Sequence, residues 1–558
     1  MGIANVLSAL PGETGAEPPV TDKGWRAGLR AAVRKRLTLE HLTATLLGLL
    51  VLVVHDVGYM LSQPFWLDEA WVAVTTGFPL TQLPATTSST PIGWSALLRL
   101  VTIRGTESAR LLPLAFAGAA VVIAYWFARQ LGWRTRTAAV CAGVLGGIGA
   151  LLVPAMLVRD DLKQYTADAC LSLLVLALTS RLDRQWSRRR LIALSVAVWG
   201  GMLFSQAVTF VGIAAFAALC IVLLAKRSWR RLAEACVASA VTAVVMVAVY
   251  LTFDARAVGA GLIDGEHMRY YFVPLDSGLG SAISFVTSKV AAVSQFFDLG
   301  PVWLAVPLVV AGIVTMARLG RPVTAVATAA MWPVLLGVNA VRRYPFMDLR
   351  TNTFMFAVTA VVAAIGLVGM GSLLQPWLRK AGTILMVAVA VAGASAFTVS
   401  AHPYVRDHPI PKEDVRDQVR YVSAHEAPSD VILVNTSSSY GFAFYWPHDH
   451  PSRRTDHYVA QQYEPYYPQE PRIVVALNGE PAGVTAALAQ AVHQAQARSC
   501  APIWFVRTHA SVSELAAWRA ALRHWSLSTR PIGHDGLSVI RLSGALCHAT
   551  PGTGAPKG

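Results

Sequence analysis

Charge is scarce in this chain: 14% of its 558 residues are charged, while 54% are hydrophobic and the mean hydropathy is +0.48. A soluble domain carries about a quarter charged residues, so the deficit excludes an ordinary soluble protein and puts the chain in lipid. Cysteine is also sparse. The six cysteines form no CxxC pair and no His/Cys ligand spacing, which leaves no sequence basis for a thiolate metal centre. No fixed-period repeat is visible, so a solenoid is not indicated. A cleavable signal peptide is not evident either, because the N-terminal lead is long and polar and no small-residue cleavage site follows the first apolar run.

What the chain has in abundance is long apolar runs. They suit helices crossing about 30 Å of hydrocarbon near 41–61, 109–129, 136–157, 165–182, 191–207, 209–226, 233–252, 301–318, 322–341, 353–374 and 381–400. The formal net charge of +15 raises nucleic acid as a partner, but its placement argues against that. Basic residues gather at Lys23–Arg36, Arg129–Arg136, Arg181–Arg190, Lys226–Arg231, Arg318–Arg321 and Arg379–Lys380, which is every second loop. That is the positive-inside pattern. It predicts a multi-pass protein of the plasma membrane with a cytoplasmic N-terminus, and it sets 62–108, 158–164, 253–300, 342–352 and 401–558 outside.

Composition shifts at His402-Pro403, beyond which proline and charge become frequent. The pattern predicts helices at 412–426, 482–498 and 511–524 and strands at 430–435, 472–477, 502–507 and 537–542, with 438–446 aromatic and ambiguous. The expected organisation is a basic cytoplasmic tail at 1–38, a membrane domain at 39–400, an extracytoplasmic α/β domain at 401–548 and a disordered tail at 549–558. Cys500 and Cys547 are the exported cysteines, and antiparallel pairing of the 502–507 and 537–542 strands would bring them together.

The densest chemistry lies outside. Phe65-Trp66-Leu67-Asp68-Glu69-Ala70-Trp71 sets two carboxylates between tryptophans just past the first span, where an unpartnered acid is costly. Val158–Tyr165 contributes Arg159, Asp160, Asp161, Lys163 and Tyr165. Arg342–Arg350 contributes Arg343, Tyr344, Asp348 and Arg350. Cations here run against the positive-inside bias. They either pair with the neighbouring acids and lipid headgroups or form a phosphate site. The segment 253–300, with Glu266-His267-Met268-Arg269-Tyr270-Tyr271, reads as a loop with a membrane-surface helix over a substrate groove.

The order of these features is informative: one span, an acidic pair, Thr90-Pro91-Ile92-Gly93-Trp94, Gly105-Thr106-Glu107-Ser108-Ala109-Arg110-Leu111-Leu112-Pro113, Lys163-Gln164-Tyr165, then Arg343-Tyr344-Pro345-Phe346. It resembles the GT-C superfamily of polytopic glycosyltransferases over about residues 40–400. The protein O-mannosyltransferases, the aminoarabinose transferases and their bacterial relatives are the similar branch. The resemblance implies an α-helical GT-C membrane fold with about eleven spans and inverting transfer from a polyprenyl-phosphate sugar to a glycan, lipid or protein acceptor on the outer face. It implies Asp68 as the first-loop catalytic acid with Glu69 beside it, and Arg159, Lys163 and Tyr165 near the donor phosphate. Arg343 and Arg350 join the donor-phosphate set, and Asp160, Asp161, His267 and Tyr344 the groove. The tail lacks the repeated β-trefoil domain of some mannosyltransferases. The Ala/Arg-rich composition is associated with a high-GC actinobacterial source and with mannose or arabinose donors.

Glycosyl transfer needs a base for the acceptor's proton and positive charge for the departing phosphate, and a carboxylate beside a cationic cluster meets both needs. Neighbouring helical residues point about 100° apart, so Asp68 and Glu69 do not share one task. Asp68 takes the base; Glu69 shapes the site or contributes to a divalent-ion site, although no ligand spacing supports a metal. A transporter or flippase of a lipid-linked sugar is the rival reading, but it calls for charge at mid-membrane, where the spans are nearly uncharged apart from His55 and Asp56. A third class is a non-enzymatic scaffold. His448-Asp449-His450 reads as a metal pair or a surface turn, and Tyr440, Tyr445, Trp446 and the tyrosines at 463–467 read as sugar-stacking residues or as core.

Overall fold

A computed structural model of the chain describes residues 39–54, 57–82, 90–153, 162–254, 269–296, 302–348, 350–372, 414–449, 451–459, 462–531 and 539–543. Its membrane part is helical. The first span is α1 (Leu39–Leu49), continued by the short turns Val51–Val54 and Val57–Ser62. After it come α2 (Leu67–Thr75), α3 (Ile92–Val101), α4 (Leu111–Arg129), α5 (Arg136–Leu151), α6 (Tyr165–Arg184) and α7 (Arg188–Met202). The series continues with α8 (Ala207–Ala225), α9 (Trp229–Val249), α10 (Leu279–Phe296), α11 (Val302–Arg318), α12 (Pro322–Ala340) and α13 (Thr353–Ser372). Among the described residues six helices are long and apolar enough to cross a membrane, and five further apolar helices run 10–17 residues. The observed boundaries follow the expected spans closely, because both are set by the apolar run and its flanking arginines. The expected span 381–400 lies outside the described residues, as do His55 and Asp56.

Small residues let these helices close together where no hydrophobic force separates helix from lipid. A Cβ on Gly146 of α5 would stand 3.0 Å from Ala128 of α4, and one on Gly143 would meet the Tyr125 ring at 2.9 Å. Between α11 and α13, Gly312 and Gly366 each face the other helix's backbone.

The C-terminal domain adds α14 (Val415–His425), β1 (Val431–Val434), α15 (Ser439–Tyr445), β2 (Ser452–Val459), β3 (Gln462–Tyr466), β4 (Ile473–Val475), α16 (Pro481–Ala497), β5 (Ile503–Val506), α17 (Val512–His524), β6 (Ser528–Pro531) and β7 (Ile540–Ser543). Its five-stranded sheet runs β4-β1-β5-β7-β6; β4, β1 and β5 are parallel, and β7 and β6 are antiparallel to their neighbours. Ile432 pairs with Ile473 on one side and Trp504 on the other. α16 and α17 cover one face, with Leu488, Val492 and Trp518 packed in one core with Phe505 of β5. The other face is different. Its core, with Val419, Ile432, Val434, Tyr440, Phe442 and Trp446, is continuous with Phe65, Trp71, Trp94 and Leu98 of the first loop of the membrane part. The ambiguous 438–446 stretch is therefore a helix, α15. The β2–β3 hairpin and β6 are strands that the sequence pattern does not announce, because charged and polar residues interrupt the alternation that marks a half-buried strand.

Cys500 is disulfide-bonded, whereas Cys141, Cys170, Cys220 and Cys236 are free thiols. β5 and β7 pair antiparallel with Ile503 opposite Leu542, which is the arrangement that a bridge to Cys547 requires. Cys547 itself lies outside the described residues. Non-reducing peptide mass spectrometry of membrane-derived protein is expected to recover one peptide pair linking Cys500 to Cys547. Such a bridge, closing 46 intervening residues, would stabilise the domain by about 3–4 kcal/mol; two free thiols there would rule it out.

Candidate active site

Four segments converge on the membrane face that carries the sheet domain: the turn leading into α2, the turn leading into α6, the 269–278 segment and the 341–352 loop. Phe346 N–H donates to the Tyr271 carbonyl at 2.9 Å, and the Asn339 amide spans the Tyr271 and Tyr344 carbonyls at 2.8 Å each. Trp94, fully buried on α3, donates its indole N–H to the Leu162 carbonyl at 2.7 Å and so fixes the residue before Lys163.

At the centre stands Asp68. Its Oδ2 accepts from Arg350 Nη2 at 2.6 Å and from Lys163 Nζ at 3.3 Å. The tryptophans that flank the acid each carry one of these cations. The Arg350 guanidinium lies 4.8 Å from the Trp66 ring centroid, and Lys163 Nζ lies 5.5 Å from that of Trp71. Arg350 also stands 5.7 Å over Tyr165. Partial burial would push the Asp68 carboxyl up, but the Lys163 and Arg350 charges outweigh it and hold the group below the ordinary carboxylate value. Side-chain exposures of 23% for Asp68, 11% for Lys163 and 32% for Arg350 leave the cluster reachable from outside. Because the folded pKa is depressed, its contribution to stability is present above the ordinary carboxylate value and is lost as pH falls below it.

Glu69, expected beside Asp68 in a catalytic role, faces the other way. One residue on along a helix turns the side chain by about 100°, and here that turn goes into the protein. Glu69 and Arg110 are 0% and 1% exposed and form a two-pronged ion pair, with Arg110 Nε on Glu69 Oε1 at 2.9 Å and Nη2 on Oε2. Arg110 also donates to the carbonyls of Met60 (2.5 Å), Gln63 (2.6 Å) and Pro64 (3.1 Å). With both oxygens on Arg110, Glu69 does not fit a metal ligand, and no cluster of three His, Cys, Asp or Glu is placed to hold an ion among the described residues.

The 341–352 loop shows why Arg350 reaches the acid. Asp348 accepts from Thr351 N–H and its hydroxyl at 2.9 Å each, Thr351 O accepts the Tyr344 hydroxyl at 2.7 Å, and Asn352 holds the Pro345 carbonyl at 3.0 Å. Tyr344 is thus a buried brace packed 4.7 Å from Phe210, not a groove surface, and burial raises its phenol well above the ordinary value. Arg343 is exposed at the loop's edge, with its N–H on the Val338 carbonyl. Arg159, Asp160, Asp161 and His267 lie outside the described residues. Tyr440, Tyr445, Trp446 and Tyr467 are buried, which selects the core reading over the sugar-stacking one.

Two roles escaped the sequence reading. Arg110 stood in a quoted motif without a role, and its signal was a cation at the end of a span, the same anomaly that flagged Lys163 and Arg350. Asp168 is fully buried on α6, where Oδ1 accepts the Ser205 hydroxyl at 2.5 Å beside the start of α8. Its signal was a lone acid inside an apolar run.

Fold and site together define a polytopic helical membrane protein with an acid–cation cluster on the face covered by its α/β domain. No protein-family model and no curated protein matches the chain. Among solved structures it is similar to the Archaeoglobus fulgidus oligosaccharyltransferase in complex with Zn and sulfate, at 13% identity over 83% of this chain and 67% of that one, TM-score 0.49. It is also similar to the oligosaccharyltransferase AglB of that organism with an inhibitory peptide and a dolichol-phosphate, at 12% identity over 92% and 77%, TM-score 0.48. A third is ArnT from Cupriavidus metallidurans bound to undecaprenyl phosphate, at 14% identity over 95% and 100%, TM-score 0.44. The chemistry below rests on this chain's own side chains.

Removing one partner of a buried pair strands the other, so Glu69→Gln is expected to cost about 3–5 kcal/mol. Thermal unfolding in detergent should show a lowered midpoint, with any activity loss tracking it. An inactive Glu69→Gln protein of wild-type stability would instead return Glu69 to a chemical role.

Proposed function

We propose that the chain is an inverting glycosyltransferase of the GT-C kind. It moves a sugar from a polyprenyl-phosphate donor to a cell-envelope acceptor on the outer face of the plasma membrane, with the N-terminus cytoplasmic. The observation that carries this reading is the sharing of Lys163 and Arg350 by Asp68 at the membrane surface. A lipid-linked phosphate enters from the bilayer and competes with Asp68 for those cations. As it takes them, Asp68 is released to face the acceptor.

The reaction balances on these groups. The acceptor hydroxyl attacks the anomeric carbon from the side opposite the phosphate and gives its proton to Asp68. The bond from the anomeric carbon to the phosphate oxygen breaks, and polyprenyl phosphate departs with its charge met by Arg350 and Lys163. Trp66 and Trp71 hold those cations in place, and their rings suit the headgroup layer where the donor lies. Acceptor class, whether glycan, lipid or protein, is set by surfaces beyond this cluster.

Purified protein offered a panel of radiolabelled polyprenyl-phosphate sugars is expected to consume one of them. Asp68→Asn should lower turnover by about 10²–10⁴-fold. Lys163→Ala and Arg350→Ala should lower kcat/KM for the donor by about ten- to a hundredfold, since each removes a hydrogen bond to a charged group. Arg343→Ala, at an exposed site, should do less. Full activity of Asp68→Asn would remove the proposed mechanism.

The pH profile gives a separate check. In the free protein the two cations depress the Asp68 pKa. Once phosphate holds them the carboxyl titrates higher, so the acid limb of kcat should lie at higher pH than that of kcat/KM. Coincident limbs, or the reverse order, would count against the exchange of partners.

A further inference from the structure

The C-terminal domain makes side-chain hydrogen bonds and ring contacts with the first loop of the membrane part. Tyr445 is buried at the end of α15, and its hydroxyl oxygen accepts the Phe65 N–H at 2.8 Å while its proton goes to Glu107 Oε1 at 3.0 Å. Both partners belong to the first loop. Burial holds the phenol well above its ordinary value, so it remains a donor. Arg416 of α14 completes the knot by donating to the same Glu107 oxygen at 2.8 Å. Arg104 from that loop reaches back to the carbonyls of Trp446 and Asp449 at 2.7 Å each.

Aromatic contacts follow the same line. Phe444 lies 5.2 Å from Phe65, and Tyr440 lies 6.2 Å from Trp71, the ring that carries Lys163. The domain has its own separate core between the sheet and α16 and α17, so Tyr445 is not needed to build it.

We infer that Tyr445 is a positioning residue for Asp68, fixing the peptide three residues ahead of the acid and making the C-terminal domain a working part of the membrane-surface site. For its effect on turnover this rests on the reading of Asp68 as the base. Restraint at Phe65 and Trp71 sets the orientation of α2, and with it the reach of Asp68 toward an acceptor. Such restraint acts on kcat more than on lipid binding, because the backbones that carry Lys163 and Arg350 are fixed by the Trp94–Leu162 bond and the Asp348–Thr351 turn as well as by the α2 tryptophans.

The test compares full-length wild type, Tyr445→Phe and Val484→Ala in lipid nanodiscs. Val484 is buried on α16, in the domain's other core, which holds no residue of the first loop, and controls for loss of domain stability. Hydrogen exchange should accelerate by about tenfold in peptides covering 64–75 of Tyr445→Phe, where a buried donor has lost its acceptor. Exchange in α16 and α17 should stay at the wild-type rate. Binding of undecaprenyl phosphate, followed by tryptophan fluorescence, should stay within about twofold, while kcat falls by about tenfold at constant KM. Unchanged exchange over 64–75 in Tyr445→Phe, or equal acceleration there in Val484→Ala, would overturn the inference. Accelerated exchange in a protein whose wild type turns over no polyprenyl-phosphate sugar would uphold the restraint and sink the catalytic reading instead.

Discussion

A buried guanidinium carries the loop that follows the first span of this protein. Arg110 closes the turn from the first span to α2 by taking both oxygens of Glu69 and three carbonyls from residues 60–64. Burying such a pair is favourable only when every remaining donor is satisfied, and here the turn itself supplies the acceptors. The consequence is geometric. With Glu69 pinned inward, the helical step leaves Asp68 outward, within reach of cations from two other loops. The pairing that looks most like chemistry in the sequence is thus divided between one buried structural acid and one half-buried acid within reach of solvent.

The half-buried acid is held by charges that, on the proposed reading, a donor phosphate takes over. Lys163 and Arg350 neutralise Asp68, and each also rests on a tryptophan ring next to it. Two cations around one carboxylate leave net positive charge, which attracts a phosphate at the membrane surface. On the proposed reading, the same cations make Asp68 a poor base until the donor phosphate draws them off. In this account donor binding and base activation are one event, and unproductive deprotonation of water is limited in the absence of donor.

Much of the helical body was legible because hydrocarbon thickness and arginine placement both act locally on sequence; α4, α8 and α12 begin and end within a few residues of their apolar runs. The strands around Ile432 and Phe505 were legible for the same local reason. The cation that reaches Asp68 was less so. Arg343 and Arg350 lie in one loop, and the motif favoured Arg343, but the Asp348–Thr351 turn and the Tyr344 brace are tertiary facts that present Arg350. The stretch 438–446 was ambiguous because Tyr440, Phe442, Phe444 and Trp446 alternate as in a strand, with Tyr445 breaking the alternation, although the stretch folds as a helix. It is helical through packing on Phe65 and Trp71, residues almost four hundred positions away.

The central claim is that Asp68 and a lipid phosphate compete for Lys163 and Arg350. Equilibrium binding of undecaprenyl phosphate to wild type and to Asp68→Asn measures that competition without any need to know the sugar or acceptor. The account predicts that Asp68→Asn binds the lipid phosphate more tightly, by about tenfold, because the internal competitor is gone. Equal or weaker binding by Asp68→Asn would contradict it.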